Sequence, residues 1–289
     1  MPYKQVSIIT KKWRNQKPSS GSQINWGHPL AQGLVGCWLM NEGAGKTVND
    51  LARKNSGTNI GARWDSHLKG MGLVFDGTDD YIEHLDSDGL YDFSSGRSFS
   101  ISCLAYFNAN GVDFAIVNAW GVSPTKEQWL LLREGTAPNA DSIKFAVQDT
   151  NGNYIVADSV AGTAVAGRWH HVVCVKRQNT LYVYVNMVVS ADNPNTVVAT
   201  LISYPGKIRF GRTVRDSDPL NGKINNVSIY ARALSSSEVR SLYEAPYQFI
   251  QPIRRRVHFI IPSAASLPFN RLDRIKSISR IKSLNFKGG

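Results

Sequence analysis

The chain has 289 residues, 42% of them hydrophobic and 19% charged, with a formal net charge of +11. Such a length suits one large all-β domain with appendages, and no stretch approaches the ~18 consecutive apolar residues of a helical membrane span. The three cysteines, Cys37, Cys103 and Cys174, include no C-x-x-C spacing, which argues against a disulfide framework and a zinc site.

The charge is unevenly spread. Residues 1–30 hold five basic residues and no acid, residues 31–244 hold 19 basic and 21 acidic residues, and residues 245–289 hold nine basic residues and one acid. The globular part is therefore near neutral and the basicity sits in the two ends, a pattern suited to docking on an acidic surface.

Taken in order, residues 1–29 read as an extended basic arm. They carry Lys4, Lys11, Lys12, Arg14 and Lys17, then the loop-forming run from Lys17 to Ser22. The start, MPYKQVSIITKKWRNQ, is too polar for a secretory signal. The domain is expected over residues 30–245. Leu34–Met40 is its first strand, followed by a polar loop through Asp50 to Gly57. Leu73–Phe75 and Tyr81–Leu85 flank Asp76-Gly77-Thr78-Asp79-Asp80, a turn of hairpin composition. Strands are predicted at Phe99–Phe107, Phe114–Ala119 and Gln128–Arg133, then at Ile143–Gln148 and Asn153–Asp158 around Asn151-Gly152.

Trp169–Lys176 and Leu181–Val189 form the central hairpin across Arg177-Gln178-Asn179-Thr180. Both alternate with apolar or aromatic residues on each face, as strands covered on both sides do. Lys207–Gly211 and Lys223–Tyr230 come next. Short strands at such spacing make a two-layer sandwich. A single helix closes it, opened by the capping box Ser235-Ser236-Ser237-Glu238 with Leu234 and Val239 as a hydrophobic staple, and ending before Pro246. Residues 246–289 read as a basic C-terminal arm that takes its shape on binding. It holds Arg254, Arg255 and Arg256, and the repeated Arg-Ile-Lys-Ser that places Arg274, Lys276, Arg280 and Lys282.

The segment Gly167, Trp169, His170, His171, Val172, followed by Leu181, Tyr184, Val185 and Asn186, resembles the laminin-G-like, concanavalin A-like jelly-roll family. Met187 stands where the family's turn has glycine. Three further blocks agree in order: Gly33–Trp38 with Asn41-Glu42-Gly43, Phe75-Asp76-Gly77 with Asp80-Tyr81, and Asn221-Gly222 through Tyr230 into Arg232-Ala233-Leu234-Ser235. The resemblance covers about residues 30–245 and implies an all-β, two-sheet jelly-roll sandwich with one short C-terminal helix. It also implies that calcium is an ion this fold often carries. Asp50, Asp76, Asp79 and Asp80 are the oxygen donors here, but Asn225-Asn226 stand where the family often has acids and Arg53-Lys54 bring two cations into its Asp-x-Ser-Gly-Asn loop, so no metal or other cofactor is expected.

Retaining glycoside hydrolysis needs two carboxylates about 5–5.5 Å apart. Glu83 and Asp86 do not share a strand face, no E-x-D-x-E run exists, and catalysis is not expected. His170 and His171 are strand neighbours on opposite faces, so they share neither a metal nor a proton. Trp64, Trp120 and Trp129 are the candidate platforms for a glycan. The basic repeats suit nucleic acid electrostatically, yet no nucleic-acid module accompanies them.

The layout of basic arms around such a sandwich is similar to laminin-G-like proteins of tailed bacteriophages. That resemblance implies a non-enzymatic virion structural protein, a capsid decoration or tail-associated component present in several copies. Its arms would anchor it to other virion subunits through Arg254, Arg255, Arg256, Arg274, Lys276, Arg280 and Lys282. The alternative is a glycan-binding adhesin for a host surface polysaccharide. An exposed tryptophan beside free amides favours the adhesin; fully packed tryptophans favour the virion scaffold.

Overall fold

The computed structural model describes residues 16–251, apart from residues 54, 68–69, 87, 122–126, 190–199 and 204–205. In chain order the strands begin with β1 (Gln23–Ile24), β2 (Leu34–Trp38), β3 (Thr47–Val48), β4 (Gly57–Ile60), β5 (Arg63–His67) and β6 (Gly70–Asp76). Next come β7 (Tyr81–Leu85), β8 (Phe99–Phe107), β9 (Phe114–Trp120), β10 (Glu127–Glu134), β11 (Ser142–Gln148) and β12 (Tyr154–Asp158). The last are β13 (Trp169–Arg177), β14 (Thr180–Val185), β15 (Val188–Val189), β16 (Lys207–Phe210), β17 (Asn221–Tyr230) and β18 (Ile250–Gln251). Helix α1 (Ser236–Glu244) lies between β17 and β18 in sequence.

Two antiparallel sheets make the sandwich. The first runs β12-β11-β10-β9-β16-β7-β4-β3; the second runs β15-β14-β13-β8-β17-β6-β5, with β2 also paired to β17. Alternation explains the layering. On β8, Phe99, Ile101, Cys103, Ala105 and Phe107 enter the main core, where they meet Ile116, Trp129, Leu131, Phe145 and Phe210 of the first sheet. Each large side chain among them contributes ~1.5–3 kcal/mol by leaving water. All three cysteines are buried and free.

The second sheet has an apolar outer face as well, which is why β13 reads apolar on both sides. Val173 and Val175 pack there with Tyr184, Leu234, Val239, Leu242, Tyr247 and Phe249. Helix α1 covers that face. Its capping box is formed as expected: Ser235 Oγ accepts from the Glu238 amide and the Glu238 carboxylate accepts from the Ser235 amide.

Three expectations change. The Asp76–Asp80 turn is not a hairpin, because β6 belongs to the second sheet and β7 to the first. Phe75 and Ile82 must both reach the core from opposite layers, so the chain crosses between sheets there. The strand expected over Leu181–Val189 breaks at Asn186-Met187, both left-handed, into the tight hairpin β14–β15. The expected hairpin itself forms, β13 pairing antiparallel with β14 from Val172↔Val185 to Arg177↔Thr180. Finally, the sandwich extends past residues 30–245: β1 pairs with β18, and Ile24, Tyr247, Phe249 and Ile250 are buried with the second cluster. Lys17, assigned to the arm, donates to the carbonyls of Met40 (3.1 Å) and Asn225 (2.6 Å). Among the described residues no helix is long and apolar enough to cross a membrane.

Candidate functional site

The seven arm residues proposed to bind a partner, Arg254, Arg255, Arg256, Arg274, Lys276, Arg280 and Lys282, lie outside the described residues. The remaining candidates are all within them, and most prove to be structural.

The acids are largely spent on holding the chain. Asp50 accepts from the amides of Cys37, Ala52, Arg53 and Asn55, closing the loop after β3. Burial pushes its carboxyl up from the ordinary range against those four bonds. Asp86, also raised by burial, caps Leu90 and Tyr91. Burial alone would raise Glu83, but hydrogen bonds and charge from Lys207 (2.8 Å) and Arg209 (2.9 Å) hold it below its ordinary range. Neither Glu83 nor Asp86 is placed as an acid opposite an ionised partner.

Asp76, Asp79 and Asp80 have carboxylate oxygens within 4.8 Å of one another. Two of those carboxylates already close the turn: Asp76 accepts from the Thr78 amide and Asp80 from the Asp76 amide. The other donors that the resemblance would offer an ion are committed elsewhere, since Asp50 holds four amides and Asn225 Oδ1 holds the Tyr247 hydroxyl. Among the described residues, Asp76, Asp79 and Asp80 are the acids whose oxygens gather this closely, and Asp50 and Asn225 do not join them.

His170 and His171 face opposite sides of β13, as their adjacency requires. His170 stacks on Phe107 in the core, and its Nε2 pairs with the Val165 carbonyl at 2.8 Å. His171 faces outward beneath α1, with Nε2 3.1 Å from Ser102 Oγ, and its Nδ1 has no partner among the described residues. Burial lowers its pKa to about 4, so the ring is neutral at pH 7.

The three candidate tryptophans separate. Trp129 is fully buried core, its Nε1 donating to the Tyr91 carbonyl, so it is no platform. Trp64 is half-buried against the core and donates to the Gly45 carbonyl. Trp120 differs. It sits on the outer face of the first sheet, packed on the outward-facing Leu130, Leu132 and Ala146. Its ring lies 5.5 Å from that of Tyr154, which is 53% exposed. Tyr154 pairs in register with Gln148, and Val156 with Ala146. Sequence reasoning singled out Trp120 but passed over Tyr154, because β9 and β12 are separated by two strands and only the fold joins them.

A jelly roll built from two large antiparallel sheets describes a recognised family. The family model of the concanavalin A-like lectin/glucanases superfamily matches residues 76–240. The chain belongs to this superfamily. Among solved structures, this concanavalin A-like sandwich is similar to the binding domain of Paraclostridial Mosquitocidal Protein 1. The TM-score is 0.60 at 16% identity, over 74% of this chain and 52% of that one. Trypanosoma rangeli sialidase in complex with sialic acid matches with a TM-score of 0.57 at 18% identity, over 75% of this chain and 33% of that one. The receptor binding domain of botulinum neurotoxin D gives 0.55 at 15% identity, over 73% and 52%. The concanavalin A-like chain thus spans about half the length of the toxin domains and a third of the sialidase. These likenesses show the fold. No curated protein matches the sequence.

Proposed function

We propose that this chain is a non-catalytic recognition module whose ligand is a glycan. The observation that carries this reading is the Trp120–Tyr154 pair on the outer face of the first sheet. Sugar rings present apolar C–H faces that stack on aromatic side chains, and a half-open ring pair offers such a surface. The buried acids, by contrast, serve backbone amides and ion pairs. That two similar structures are named as binding domains supports the same reading. The test is a glycan array probed with the full chain and with Trp120→Ala and Tyr154→Ala. Both variants should fold and lose binding at least tenfold. Unchanged binding in both, or release of reducing ends that one Asp or Glu substitution abolishes, would overturn the reading.

A second and compatible reading is that the module is displayed on a bacteriophage virion, as a capsid decoration or tail-associated component. It rests on the charge partition, in which residues 245–289 hold nine basic residues and one acid beside a near-neutral sandwich. The basic arms, Arg254, Arg255, Arg256, Arg274, Lys276, Arg280 and Lys282 above all, would staple the sandwich to acidic surfaces of other subunits. Mass-spectrometric inventory of purified particles, with and without residues 252–289, decides it. Incorporation at normal occupancy without them removes the reading.

A further inference from the structure

A cavity of about 340 Å³ opens on the outer face of the second sheet, between β8, β13 and the end of α1. It lies on the opposite layer from Trp120, so a ligand held there owes nothing to the Trp120–Tyr154 platform. Its volume is at the small end of small-molecule sites, which run to about 300–1,000 Å³.

The walls are aromatic and the floor is polar. Trp169, held edge-on by Tyr106 at 5.7 Å, forms one wall. Tyr243, 43% exposed on α1, forms the outer wall, with its ring 6.0 Å from the His171 imidazole. Asn186 and Glu244 also line the cavity, and no lysine or arginine does. Asn186 is fixed by the tight β14–β15 turn: its Oδ1 accepts from the His171 amide at 3.0 Å, and its own amide donates to the His171 carbonyl at 2.8 Å.

His171 is what selects the ligand. Its Nε2 is engaged with the Ser102 hydroxyl, and its Nδ1 is sealed from solvent with no hydrogen-bond partner among the described residues. A hydroxyl can donate or accept, so Ser102 leaves open which ring nitrogen carries the proton. Nδ1 therefore needs a partner able to accept if it is protonated and donate if it is not. A hydroxyl satisfies both cases. An ammonium only donates and a carboxylate only accepts, so each suits one tautomer alone, and Glu244, already paired with Arg240 at 2.8 Å, leaves the mouth no unbalanced charge to draw either in. Aromatic walls suit the C–H faces of a ring that carries hydroxyls on its rim.

We infer that this cavity binds an uncharged, polyhydroxylated ring, a neutral monosaccharide unit. The ring enters past Tyr243, stacks against Trp169 and gives one hydroxyl to His171 Nδ1. The side chain of Tyr243, which screens the imidazole, turns aside as the ligand enters.

Saturation-transfer NMR on the full chain tests this, with methyl β-D-glucoside and methyl β-D-galactoside as neutral probes and choline and free sialic acid as charged ones. Transfer is expected to at least one neutral glycoside and to neither charged probe. Because the Trp120 platform is itself proposed to contact sugars, the cavity is read in the Trp120→Ala background, where transfer should persist and fall at least fivefold on adding Tyr243→Ala, a change at an exposed helix position. His171→Phe, which keeps the ring shape and removes Nδ1, should cut it equally. If that variant does not fold, the Tyr243→Ala result decides. Absence of transfer from both neutral glycosides, equal transfer on adding Tyr243→Ala in that background, or preferred transfer to choline or sialic acid overturns the assignment. Loss in Trp120→Ala alone would place the sugar on the first sheet and overturn it too.

Discussion

Tyr247 donates its hydroxyl to Oδ1 of Asn225 across 2.6 Å, inside the bulge of β17. Lys17, from the other end of the sandwich, donates to the backbone carbonyl of the same asparagine. Both ends of the described chain therefore close on one buried residue. The position where the family resemblance expects an acid serves here as the point that ties the termini down. Tyr247→Phe removes the donor and leaves a buried amide oxygen short of a partner, which costs about 1–3 kcal/mol. Urea unfolding should show a lower midpoint with an unchanged slope. An unchanged midpoint would mean that the bond contributes nothing.

His171 gives the fold an acid sensitivity. Burial holds its folded-state pKa near 4, while an unfolded histidine titrates near 6.5. Between those values the unfolded chain binds the extra proton, so stability rises with pH there. The contribution is fully present above about pH 6.5 and is lost as pH falls toward 4. At about 1.4 kcal/mol per pH unit it amounts to roughly 3 kcal/mol. His170, also lowered by burial, acts in the same direction. Denaturant titrations at pH 7.5, 5.5 and 4.5 should show this decline, and His171→Phe should flatten it by about that amount. An equally steep decline in the variant would assign the sensitivity to other groups.

Much of this was legible from residue order. Period-2 alternation placed β8, β11, β13 and β17 to within two residues at each end, and Ser235 with Glu238 gave the helix start. What escaped was of three physical kinds. GTNI at β4 and RWDSH at β5 lack the apolar alternation that marks a strand, and only pairing with β7 and β6 makes them strands. Arg133 looks like a surface cation, yet its side chain is fully buried. It pairs with Asp141, donates to the carbonyls of Ala164 and Val112, and lies over the Phe107 and Phe114 rings. Nothing local announces such a network. The aromatic pair and the cavity are assembled from distant segments, Trp120 with Tyr154 and Trp169 with Tyr243, so residue order alone could not join them.

Met187 marks a place where sequence departs from pattern while the backbone does not. It holds φ at 66° beside Asn186 at 51°, the left-handed pair that a two-residue hairpin turn requires. An L-residue with a Cβ pays roughly 1–2 kcal/mol for that conformation, and glycine does not. Met187→Gly should therefore raise the unfolding free energy by about 0.5–1 kcal/mol once the extra freedom of the unfolded glycine is allowed for. Differential scanning calorimetry checks it. A lower melting temperature would show that the methionine side chain contributes contacts that outweigh the strain.

The apolar burial that follows α1 can be tested by truncation. The second apolar cluster includes Tyr247, Phe249 and Ile250, all nearly inaccessible to solvent, and β18 at Ile250–Gln251 pairs with β1. A chain cut after Ala245 would lose those three side chains, the Tyr247–Asn225 bond and the partner strand of Gln23–Ile24. At ~1.5–3 kcal/mol for each large apolar side chain returned to water, the loss is comparable to the whole stability of an ordinary domain. A chain cut after Gln251 keeps all of them. Limited proteolysis and thermal unfolding of the two truncations should therefore separate sharply. The chain ending at 251 should melt within a few degrees of the full chain, and the one ending at 245 should be unfolded or severely weakened. Equal melting of the two would show that the C-terminal segment only rests on the sandwich. Poor folding of the longer truncation would mean that residues 252–289 are needed for the fold, and no longer a separate means of attachment to a partner.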